Sequence, residues 1–216
     1  AADGITALIR DFFPAPGTLV CNCGSGNNGG DALAVARRLA PLGWQILIRL
    51  AAAPESLREL PRLHWLALGE TATLCQTAVE VVTRHRGGPL LLLDGLIGLG
   101  SHGPLRPALA ALAAEMNGLR TSHHAFTLAM DLPSGLDPDT GLPSAGTVIA
   151  DMTATIAIPK WGLIADAATA HVGRLAVIPV EGLQPTADLQ LSAEHLALPS
   201  RLLPLLPRRG FLSHKG

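Results

Sequence analysis

The eleven residues Cys21-Asn22-Cys23-Gly24-Ser25-Gly26-Asn27-Asn28-Gly29-Gly30-Asp31 hold four glycines and three asparagines. Glycine lets backbone N–H groups come close to an anionic ligand, and a helix opening after the turn adds its positive dipole end. The amide oxygens of Asn27 and Asn28 suit a cation or a ligand hydroxyl; the competing reading is a pair of left-handed or capping residues. Asp31 reads either as a helix cap or as a ligand contact. Asp94 follows four leucines and opens Gly95-Leu96-Ile97-Gly98-Leu99-Gly100. A carboxylate there fits a hard cation, a ribose hydroxyl or a plain turn. Asp131 ends a third apolar run, in Met130-Asp131-Leu132-Pro133-Ser134-Gly135-Leu136-Asp137. Its apolar flanks favour acid–base work over a turn role.

Other chemistries find less support. Gly24 to Gly29 formally matches G-x-G-x-x-G, but the acidic residue expected after the second strand is missing and Arg49 stands near that point, where it would meet a 2′-phosphate. The G-K-[ST] ending of a P-loop is absent. Ser134 lies in no G-x-S-x-G elbow, so a nucleophile is not expected. The histidines show no metal spacing, although His102 falls in the second loop. Cys21, Cys23 and Cys75 are too few for a disulfide framework and read as structural thiols in a reducing compartment.

The elements that must position these loops are apolar runs at residues 19–21, 44–50, 90–93, 126–130, 153–158 and 175–180. Helical spacing of apolar residues falls at 31–42, 56–68 with 77–85, and 105–119, and residues 1–12 look like a helix already under way. Alternation of this kind predicts an α/β fold with a mostly parallel sheet covered on both faces. Each of the three loops then leaves the carboxyl end of a strand, where ligands bind in such sheets. At 216 residues and 48% hydrophobic composition the chain can bury a substantial core. A net charge of -1, with Lys160 and Lys215 the only lysines, argues against nucleic-acid binding. No apolar run reaches the eighteen or so residues of a membrane span, so a soluble, cytoplasmic protein is expected. Residues 184–216, rich in leucine and proline, read as a linker or covering arm.

Taken together, the loops resemble those of the YjeF N-terminal domain family, the NAD(P)H-hydrate epimerases. The match runs through Gly24 to Asp31, Asp94 to Gly100 and Asp131 to Asp137, and continues in Ala150-Asp151-Met152-Thr153-Ala154-Thr155 and Pro159-Lys160-Trp161-Gly162-Leu163. Ala32 and Leu99 depart from it, standing where the family usually has glycine and commonly has threonine. The resemblance implies a Rossmann-like three-layer sandwich over residues 1–183 that interconverts the R and S forms of hydrated NADH and NADPH with bound potassium. By position, Asn27, Asn28, Gly29, Gly30 and Asp31 would hold the hydrated nucleotide. So would Gly98, Leu99, Gly100, Ser101, His102, Gly103 and Pro104. Asp131 would contact the reacting end as the catalytic acid and base, and Asn28, Asp94 and Ser134 would coordinate potassium. The tail, 208–216, resembles the beginning of an ADP-dependent dehydratase domain, and the chain would then be the front part of a bifunctional repair enzyme. A homodimer is compatible with the resemblance. A non-catalytic scaffold of the same fold and a nucleotide-dependent oxidoreductase are the alternatives, and the joint presence of Asp31, Asp94, Asp131 and Ser134 favours the epimerase.

Overall fold

The strands form where apolar residues are continuous rather than alternating. The first, β1 (Thr18–Cys23), and a later one, Leu90–Gly95, are buried at every position, as central strands covered on both faces must be. The computed structural model describes residues 1–100 and 103–180, and within these the chain order is α1 (Ala2–Phe12), β1, α2 (Asn27–Leu39), β2 (Gln45–Leu50), α3 (Glu59–Leu68), β3 (Ala72–Leu74), α4 (Ala78–Arg84) and β4 (Leu90–Gly95). There follow α5 (Pro107–Ser122), β5 (Phe126–Met130), β6 (Met152–Ile156), α6 (Thr169–Val172) and β7 (Arg174–Ile178). Ala1–Val180 makes a unit by itself. The expected linker at 184–216 and the tail at 208–216 lie outside the described residues.

The seven strands lie in the order β3-β2-β1-β4-β5-β6-β7, and all pairings are parallel. Side chains alternate between faces. Leu19, Cys21, Cys23, Ile46, Ile48, Leu91 and Leu93 meet α1 and α2 on one side, while Val20, Leu47, Leu90 and Leu92 meet α4 and α5 on the other. This is the expected three-layer sandwich. Cys21 and Cys23 share the first face, fully buried, and desolvation pushes both thiols up from the ordinary cysteine value, which fits their structural reading. Phe12, Phe13, Trp44 and Phe126 cluster through edge-on and tilted ring contacts near the amino ends of the strands, away from the loops that carry the chemistry. No helix among the described residues is long and apolar enough to cross a membrane.

Besides the one-turn α6, which no sequence pattern announces, two elements differ from expectation. A three-residue edge strand, β3, sits where none was expected, too short for a period to show. Helix α2 begins at Asn27 instead of Asp31, with Gly26 as its cap. Asn27 and Asn28 are therefore first-turn helical residues, neither left-handed nor capping, and Asp31 is inside the helix and not its cap.

Candidate active site

In this strand order the chain leaves β1 toward β2, whereas β4 continues on the other side, so the loops after β1 and β4 part and leave a crevice. A cavity of about 760 Å³ occupies it. That volume lies in the range of small-molecule sites.

The glycines shape the floor. A Cβ on Gly24 would lie 1.9 Å from the Leu96 carbonyl oxygen, and one on Gly29 would lie 2.0 Å from that of Gly24. Gly30 packs against Pro61 of α3, and Gly95 leaves room for the Ala32 methyl. Glycine at these positions serves close packing of the two loops and α2. Gly26 and Gly100, in contrast, face open space.

The sequence-derived site residues divide accordingly. Asn27, Asn28 and Asp31 line the cavity on one wall, and Gly98, Leu99, Gly100, Gly103 and Pro104 on another. Gly29 and Gly30 are buried in packing and do not line it. Ser101 and His102 lie outside the described residues.

Beneath the cavity Asp94 is fully buried at the end of β4. Ser134 donates to it twice, from its hydroxyl to Oδ1 at 2.7 Å and from its backbone N–H to Oδ2 at 2.8 Å, and the Leu96 N–H adds a third bond at 3.2 Å. Burial pushes the Asp94 carboxyl up to about 6, against the lowering by these donors. The Ser134 hydroxyl also meets the Ile97 N–H and carbonyl, both at 3.1 Å. Asn28 reaches across to β5, its Nδ2 donating to the Met130 carbonyl at 3.4 Å, and a Cβ on Gly98 would sit 3.7 Å from its Oδ1. Asn28, Asp94 and Ser134 are thus tied into one region by the 96–98 loop and the end of β5.

Asp131 lines the far wall and is 8% exposed. Its φ of 69° is left-handed, a conformation that aspartate tolerates better than most residues and that recurs at functional sites. Its Oδ1 accepts the Ile156 N–H at 3.1 Å and a short hydrogen bond from Lys160 Nζ. Lys160 is held in turn by the Ile156 carbonyl at 3.2 Å and by Thr155 Oγ1 at 3.4 Å. The stretch leading into β6 is tethered from α5, where Asn117 bonds the Thr147 carbonyl and the Ile149 N–H. Across the cavity, burial raises the pKa of the half-buried Asp31, and the charge of Asp131 adds in the same direction.

Sequence reasoning gave Lys160 no role, although it is one of two lysines and follows Pro159 just past β6. Arg58 and Arg106 also line the cavity. Arg49, placed by sequence near a 2′-phosphate, is only 4% exposed and bonds Glu115 at 2.5 Å and the Gln76 carbonyl at 3.1 Å. It braces β2 against α5.

This is a Rossmann-like α/β domain with a ligand crevice at its switch point, carboxylates on facing walls and a third carboxylate buried below. Residues 1–162 match the family described as YjeF-related protein N-terminus, and the chain belongs to that family. It is 36% identical to a bifunctional NAD(P)H-hydrate repair enzyme Nnr of Salinibacter ruber, over 86% of this chain and 36% of that protein. It is 32% identical to an NAD(P)H-hydrate epimerase of Rhodopirellula baltica, over 83% of this chain and 72% of the relative. The chain therefore spans little more than a third of the Salinibacter relative. The crystal structure of yeast YNL200c shares the fold, with a TM-score of 0.65 at 17% identity, covering 82% of this chain and 74% of the yeast one.

Proposed function

We infer that the chain is an NAD(P)H-hydrate epimerase that interconverts the R and S forms of hydrated NADH and NADPH. The observation that carries the reading is Asp131 on the wall of a crevice of about 760 Å³, with Lys160 ion-paired to it from behind the lining. Membership of the family and the names of its relatives support it.

Epimerisation exchanges a hydroxyl on a ring carbon next to the nicotinamide nitrogen. The nitrogen lone pair expels the hydroxyl as Asp131 gives it a proton, leaving an iminium-like ring, water and the Asp131 carboxylate. Water then adds to the opposite face and returns a proton to Asp131. Lys160 stabilises the carboxylate between the two steps. The left-handed backbone and the Ile156 N–H fix the orientation of that carboxylate before substrate arrives.

Asn28, Asp94 and Ser134 fit potassium. Their donors are oxygens, as a hard cation requires, and a buried carboxylate gains most from a positive partner. Bound there, potassium supplies fixed positive charge that offsets Asp94 and organises surrounding oxygen ligands. We further infer a cytoplasmic setting, in keeping with three free buried thiols, and a covalent link to a dehydratase domain. A homodimer remains part of this reading.

Incubating the chain with purified R-hydrate, with and without potassium, and separating the epimers by chromatography tests the reading. Interconversion that rises with potassium is expected. No interconversion in either condition favours the non-catalytic scaffold.

A further inference from the structure

The cavity is lined by Asp131, after β5, by Ala51 and Ala52, which follow the end of β2, and by Arg58. From β5 through β4 and β1 to β2 is three strand spacings, about 14 Å, long enough for both halves of a dinucleotide. With the reacting ring at Asp131, the adenosine half extends toward β2. In dinucleotide-binding folds that place decides between the two cofactors: a carboxylate there bonds the ribose 2′-hydroxyl and repels a 2′-phosphate, whereas an arginine accepts the phosphate.

Here the position holds two alanines and no carboxylate. Glu55 and Glu59, the acidic residues nearest in sequence, do not line the cavity. Arg49 is buried against Glu115 and cannot serve. Arg58 does line it, and among the described residues its guanidinium has no hydrogen bond or ion pair. Its backbone N–H donates to the Ser25 carbonyl at 3.4 Å, which holds it against the glycine loop after β1.

We propose that Arg58 is a specificity-determining residue that receives the 2′-phosphate of hydrated NADPH, so that this chain prefers hydrated NADPH to hydrated NADH. The proposal rests on the epimerase reading for its substrate. A planar guanidinium suits a phosphate better than an ammonium does.

The test compares kcat/KM for the two hydrates in the wild type, Arg58→Ala and Arg58→Lys, alongside calorimetric binding of 2′-phospho-ADP-ribose and ADP-ribose. The wild type is expected to favour the phosphorylated hydrate by roughly tenfold or more. Arg58→Ala should erase that ratio through KM, and Arg58→Lys should restore it in part. Equal losses on both hydrates, or no preference in the wild type, would overturn the proposal. Absence of epimerisation with either hydrate would remove the epimerase reading alone. In that case a preference for the phosphorylated probe that disappears in Arg58→Ala still supports Arg58, and equal binding of the two probes still overturns it.

Discussion

Ser134 grips both oxygens of Asp94, its hydroxyl on one at 2.7 Å and its backbone N–H on the other at 2.8 Å, joining the end of β4 to the turn after β5. A fully buried carboxylate is held at the floor of the crevice by the very residue that shares its cation site in the proposed function.

Removing the hydroxyl in Ser134→Ala leaves the buried Asp94 Oδ1 with only the longer bond from the Leu96 N–H. Stability should fall by about 1.5–3 kcal/mol, and activation by potassium should need a higher concentration. Urea unfolding and a potassium titration of the epimerase rate measure the two effects.

The Asp94 proton is held more tightly in the folded chain, with a pKa of about 6, than at the ordinary value of 3.8. Asp94 therefore contributes most to stability below about pH 4, and that contribution is lost as pH rises through 6, a swing on the order of 3 kcal/mol. Potassium binds the ionised form, so it should raise Tm markedly at pH 8 and little at pH 5. Thermal melts in potassium chloride against tetramethylammonium chloride check this, and Asp94→Asn should flatten the difference.

Lys160→Met removes the cation beside Asp131. The expected loss in kcat is about tenfold to a hundredfold, the equivalent of one charge-assisted hydrogen bond. Stopped-flow or chromatographic rates on a variant with a native circular-dichroism spectrum provide the measurement.

Gly24→Ala forces a methyl into the Leu96 carbonyl, a backbone atom that cannot swing aside, and should cost roughly 3 kcal/mol. Gly26→Ala faces open space and should cost far less. Denaturant midpoints of the two variants test whether these glycines serve packing or ligand approach.

Much of this architecture is legible in the residues themselves. Runs such as Leu90 to Leu93 have no solvent-facing alternation, so central parallel strands follow, and their loops bring Asp94 and Asp131 to one edge of the sheet. The start of α2 was less legible because Gly29 and Gly30 are poor helix formers, and their reason for being there is contact with Gly24 and Pro61, which sequence spacing does not reveal. Arg49 and Arg58 are both arginines near the end of β2. Only the three-dimensional pairing of Arg49 with Glu115, 66 residues away, separates the buried brace from the cation in the crevice. Lys160 escaped for the same reason, since it meets Asp131 across 29 residues of chain.

The central claim is that the Asp131 carboxyl moves the proton. Chromatographic exchange of purified R-hydrate by Asp131→Asn in saturating potassium tests it most directly. Asparagine keeps the size of the side chain, so the account predicts a folded protein whose exchange rate falls at least about 10²-fold. Wild-type exchange by that variant would contradict it.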